Sequence, residues 1–111
     1  MLGRKLRHMI VFPHHDWRTC LSGSFDNFPC RLLKGRIISA HLKDLNKLGG
    51  GAHDVPYGTG AADVPAILEE LKAQGFSGNI SIEYEYHWEN STPEVGQCVG
   101  FVRGYGTTRK W

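Results

Sequence analysis

Gly35-Arg36-Ile37-Ile38-Ser39-Ala40-His41-Leu42-Lys43-Asp44 opens the stretch that decides the fold. Its middle is short, apolar and β-rich, and the charged pair Lys43-Asp44 brings it to an end, which predicts a strand over 36–42. Downstream, Asp63 can accept hydrogen bonds from the first free amides of a helix, and Pro65 is tolerated in that first turn. Val64, Ile67, Leu68 and Leu71 then recur at helical spacing, and Gly75 supplies a left-handed stop. Asn79-Ile80-Ser81-Ile82-Glu83-Tyr84 alternates polar and apolar residues as a second strand does. Thr92 and Pro93 open a final helix in which Val95, Cys98, Val99 and Val102 share a face.

Between the first strand and the first helix, residues 45–62 are rich in glycine and read as a long loop. A loop of that length inside a compact unit is more often functional than idle. The order is strand, long loop, helix, strand, loop, helix, the repeat of a parallel α/β architecture. A complete (β/α) barrel takes roughly 250 residues, and this sequence has 111. The expectation is therefore an α/β fold: a partial (β/α) TIM barrel holding its last two βα units, with parallel strands, over 35–103 and a tail at 104–111.

Composition narrows the function classes. With 41% hydrophobic and 22% charged residues the chain lies near globular averages. A net charge of +2, with basic residues scattered, argues against a nucleic-acid partner. Three widely spaced cysteines, Cys20, Cys30 and Cys98, fit neither a disulfide framework nor a zinc-ribbon spacing, and a reducing cytoplasm is the expected home. No apolar stretch reaches membrane length, so no membrane partner is expected. The pair His14-His15 with Asp16 lacks ligand spacing and reads as a polar turn.

Strand parity then picks out the chemistry. Ile37, Ser39, His41 and Lys43 share one face of the first strand, and Ile38, Ala40 and Leu42 the other, which suits covering helices. In the second strand Ile80, Ile82 and Tyr84 form the apolar face and leave Asn79, Ser81 and Glu83 opposite. In a barrel this aims His41 and Glu83 inward near the C-terminal ends of consecutive strands, where catalytic groups collect. An imidazole and a carboxylate converging there are half of a divalent-metal site. From spacing alone this signal is weak, and a hydrogen-bonded core histidine with a strand-end glutamate paired with Lys43 or solvent also accounts for it.

The stretch from GRIISAHLKD through the G-T-G loop, the DVPAIL helix, the GFSG turn and the IEYE strand resembles the final third of sugar phosphate isomerase/epimerase proteins. These belong to the xylose isomerase-like TIM barrel superfamily, and the resemblance covers roughly residues 35–102. It implies a divalent ion (Mn, Mg, Zn or Co) held by four side chains, of which His41 matches the histidine and Glu83 the last glutamate. It further implies that Glu83 is catalytic, moving a proton at the sugar carbon through a metal-bound enediolate. The remaining glutamate and aspartate belong to earlier strands, so the site is incomplete in this chain and activity alone is not expected.

The resemblance also implies substrate contacts for Lys43 and Asp44, and an approach of the Gly58 and Gly60 amides to a hydroxyl or phosphate. His53 occupies the loop where apurinic endonucleases of the superfamily carry a D-x-H pair; here Gly51 replaces the aspartate and Lys43 their asparagine. An endonuclease-like phosphodiesterase fragment is thus the second reading, with His53 a further substrate-binding candidate. Tyr84, Glu85, Tyr86 and Trp88 are expected at the pocket wall or rim. Upstream of Arg31 the resemblance fails, so residues 1–34, in which residues 9–12 suit one short strand, are expected to be an irregular segment foreign to the barrel, after a truncation or frame shift near residue 30. The expected ligand is a small sugar or sugar phosphate. A noncatalytic module that self-associates through open barrel edges is the alternative from another class.

Overall fold

The computed structural model describes residues 9–11 (as backbone), 35, 37–47 and 50–111. The remainder of the segment expected to be irregular, with His14, His15, Asp16, Cys20 and Cys30, lies outside the described residues. Three strands form one parallel sheet: β1 (Met9–Val11), β2 (Ser39–Leu42) and β3 (Asn79–Ile82), in the order β1-β2-β3. Two helices follow the second and third strands, α1 (Val64–Ala73) and α2 (Thr92–Arg109). The βαβα order expected over 35–103 is present, and β1 adds a third parallel strand within the N-terminal segment.

Each element follows from local chemistry. The Asp63 carboxylate accepts from the Ala66 amide at 3.3 Å at the start of α1, and Pro65 occupies the first turn. At the other end, Phe76 N donates to Leu71 O at 3.0 Å and Gly75 N to Lys72 O at 2.9 Å. With Gly75 at φ +70°, this is a Schellman motif, and it turns Phe76 back onto the core beside Leu71. Val64, Ile67, Leu68 and Leu71 are the buried stripe, set by their 3.6-residue spacing.

That stripe packs on Ala40 and Leu42, both fully buried, so the expected helix-covered face of β2 is the observed one. Burying each leucine contributes about 1.5–3 kcal/mol. Ile38 departs from that expectation: it is exposed while Ile37 packs against the core, both just ahead of the regular strand that starts at Ser39. Gly78 lets the entry to β3 pass close to β2, since a Cβ there would stand 1.9 Å from Ile38 O.

The final helix continues six residues past the expected boundary at 103 and ends at Arg109. Trp111 then folds back, its indole Nε1 donating to Phe76 O at 3.3 Å. The supposed tail is thus helix and cap.

Candidate active site

The site begins with register. His41 pairs with Ser81 and Leu42 with Ile82, and Glu83 N donates to Leu42 O at 3.0 Å, extending the β2–β3 ladder by one bond. Paired positions in a parallel sheet point the same way and alternate along each strand. His41 and Glu83 therefore project from one face, at the C-terminal ends of adjacent strands. The imidazole Nδ1 lies 3.6 Å from Glu83 Oε2, with both side chains partly open to solvent.

Lys43 continues the same face of β2 and is only 7% exposed. Its ammonium donates to Glu85 Oε2 and stands 3.6 Å from Glu83 Oε1 and 3.5 Å from Asp54 Oδ1. Burial pulls its pKa down, but the hydrogen bond to Glu85 and the fields of Asp54, Glu85 and Glu83 outweigh that, so the net displacement is upward. Glu83 is thus bracketed by His41 at one oxygen and Lys43 at the other; the salt-bridge and converging-pair alternatives coexist.

Asp44 faces away from this cluster and is 1% exposed. Its Oδ1 accepts the amides of Leu45 at 2.9 Å and Ala62 at 3.0 Å, and its Oδ2 those of Gly58 at 3.0 Å and Gly60 at 3.1 Å. Asp44 and the amides of Gly58 and Gly60, expected to meet substrate oxygens, bond one another here. The carboxylate and the two glycine amides serve each other, because a buried ionised group needs several donors. The missing Cβ atoms serve close packing, since one at Gly58 would lie 2.5 Å from the Phe101 ring.

The long loop is held in a hairpin-like return. Leu45 and Asp54 form an antiparallel bridge, Asn46 N donates to His53 O at 3.0 Å, and the Tyr57 hydroxyl donates to Leu42 O. Asp54, 3% exposed, accepts the Glu85 amide at 2.7 Å and so ties the loop to the segment after β3. Burial raises its pKa, with the Glu85 amide and Lys43 acting against that. Sequence reading missed Asp54 and the part played by Glu85. The only signal for Asp54 was a carboxylate beside an apolar Val-Pro-Tyr run, where an unsatisfied charge is costly.

His53 sits at the rim. Its imidazole stacks on Tyr86, ring centroids 4.1 Å apart, and Tyr86 stacks in turn on His87 at 4.2 Å. Its Nδ1 is 3.0 Å from Asp54 O, and His87 pairs with Glu94 at 2.7 Å. Trp88, next in the chain, is 77% exposed. His53 is therefore brought to the aromatic rim and not into the His41–Glu83–Lys43 cluster.

His41 and Glu83 supply one nitrogen and one carboxylate, the donor types that suit zinc, manganese or related ions. Among the described residues no group of three or more His, Cys, Asp and Glu side chains could hold a metal ion. The pair fits one side of a coordination shell and does not complete it.

A parallel sheet with helices after its strands, and polar side chains gathered at the strand C-terminal ends, is the arrangement of a (β/α) barrel segment. The profile of the xylose isomerase-like TIM barrel family matches residues 6–103, and the chain belongs to that family. The match reaches back past residue 35 to take in β1. No curated protein matches the chain. Among the described residues no helix is long and apolar enough to cross a membrane.

Proposed function

We propose that the chain is part of a divalent-metal-dependent isomerase or epimerase acting on a sugar or sugar phosphate. In this reading His41 and Glu83 are two of the metal ligands, and Glu83 also moves the proton at the sugar carbon. The observation that carries it is the 3.6 Å approach of His41 Nδ1 to Glu83 Oε2 across adjacent parallel strand ends, in a family of sugar-related barrels.

The residues divide the work by chemistry. A divalent ion held beside them would polarise the sugar carbonyl and make the neighbouring C–H more acidic. Glu83, partly open to solvent, is the carboxylate that can take and return that proton. Lys43, pinned by Glu85 and Asp54, fixes the position of the second Glu83 oxygen. Asp44 and its four amides hold the loop that stands beside them.

Two donors leave most of a coordination shell to water, so weak metal binding and no turnover by the isolated chain are expected. The test titrates the purified chain with Mn²⁺ and follows binding; with a ketose added, no proton exchange with deuterated water at the sugar carbon is expected. Weak Mn²⁺ binding that is lost in His41→Ala supports the reading. Unchanged metal binding in both His41→Ala and Glu83→Gln overturns it.

A further inference from the structure

We infer that the sugar taken by this site is uncharged: a neutral aldose or ketose and not a phosphorylated one. The inference rests on the function proposed above and narrows its substrate class. In (β/α) barrels a phosphate group is commonly held by the loops after the last two strands, through free backbone amides, helix N-termini or a cation. On that reading β2 and β3 are those strands, and among the described residues the glycine amides, the buried lysine and the helix N-termini beside them are already committed within the protein.

The glycine amides come first. Gly58 N and Gly60 N, the donors that a glycine loop offers to phosphate, both point at Asp44 Oδ2, 3.0 and 3.1 Å away. An anion entering there would displace a buried carboxylate or face it directly. The cation is engaged as well. Lys43 is 7% exposed and carries three carboxylates around one ammonium: Glu85 in a hydrogen bond, Asp54 at 3.5 Å and Glu83 at 3.6 Å. Three carboxylates outweigh the one ammonium, and a divalent ion held at His41 and Glu83 would bring the cluster only to about neutral, which leaves no surplus positive charge to draw in a phosphate dianion.

Each helix N-terminus also carries a carboxylate. Asp63 caps α1, and Glu94 lies in the first turn of α2, where it draws the nearby His87 imidazole to itself at 2.7 Å. What the cluster offers instead is a set of carboxylate oxygens and imidazole nitrogens, which suit the hydroxyls of a neutral sugar.

The experiment titrates the full chain, labelled with ¹⁵N, with D-fructose, D-fructose 6-phosphate and inorganic phosphate. It follows the amide signals of His41, Lys43, Gly58, Gly60 and Glu83. Fructose is expected to move the His41 and Glu83 signals, fructose 6-phosphate to bind no more tightly, and inorganic phosphate to leave the Gly58 and Gly60 signals in place. In Glu85→Gln, a change at a half-exposed side chain, the ammonium still faces Asp54 and Glu83, so phosphate is expected to leave the Lys43 signal in place there too. A wild-type response of Gly58, Gly60 or Lys43 to phosphate overturns the inference, as does binding of the phosphorylated sugar about tenfold tighter or more. A phosphate response at Lys43 in Glu85→Gln overturns the role given to Asp54 and Glu83. Silence of His41 and Glu83 toward both sugars, with phosphate also silent, instead overturns the function proposed above, and the inference falls with it.

Discussion

Gly60 and Asp44 are in such close contact that a Cβ on the glycine would lie 2.3 Å from the aspartate Oδ1, while the glycine amide donates to Oδ2 at 3.1 Å. The same Cβ would also stand 2.3 Å from Leu45 O. Neither neighbour can retreat, because Leu45 O accepts the Ala61 amide at 2.7 Å and Asp44 holds three further amides. Gly60→Ala should therefore destabilise the fold by about 1–3 kcal/mol. Urea unfolding of the variant against the parent chain reads this directly, and an unchanged midpoint would contradict the packing described.

Glycines in α2 predict the opposite sign. Gly100 lies in the helix interior, and a Cβ there would meet nothing within 4 Å. Glycine in a helix loses more backbone freedom on folding than alanine does. Gly100→Ala should stabilise the chain by about 0.4–1 kcal/mol, seen as a higher urea midpoint with an unchanged slope. A lower midpoint would mean that this helix face is packed against something.

Core truncation gives a third scale. Leu68 is fully buried between α1 and the sheet. Leu68→Ala should cost about 2–5 kcal/mol, the range for a leucine whose site collapses only in part. A loss below about 1 kcal/mol, by the same urea assay, would place this helix off the sheet.

Alkaline pH should weaken the fold through several groups held above their ordinary values, Tyr57 and Lys43 among them. Burial holds the Tyr57 phenol well above its ordinary value of 10.0, with the fields of Cys98, Asp54 and Glu83 adding to it. For Lys43 burial acts downward, but the Glu85 hydrogen bond and neighbouring carboxylates carry the net displacement above 10.5. Each keeps its proton longer in the folded chain than in the unfolded one. The folded state thus binds more protons above about pH 10, and stability falls as pH rises through that range. Urea midpoints from about pH 8 to about pH 11 should decline, and the decline should be shallower in Tyr57→Phe. A flat profile in the parent chain would contradict both assignments.

Local signals in the sequence were the legible part. The Asp63 cap, the Val64-Ile67-Leu68-Leu71 stripe and the Gly75 stop located α1, and alternation located β3 and aimed Glu83 to the same side as His41. What escaped was set by contacts between distant positions. The Asp44 carboxylate is satisfied by amides as far on as Ala62, and Asp54 by the amide of Glu85, so neither role has a signature in neighbouring residues. The length of α2 escaped for another reason: four glycines between 96 and 106 lower helix propensity, and tertiary contacts of Tyr105 and Trp111 near its end favour the helix nonetheless.

The most direct test of the central claim is paramagnetic broadening by Mn²⁺ in ¹H–¹⁵N spectra of the full chain. The account predicts that broadening centres on His41 and Glu83 together, reaches Lys43 next, and disappears in both His41→Ala and Glu83→Gln. Broadening centred on the surface carboxylates of the helices, and indifferent to either substitution, would contradict it.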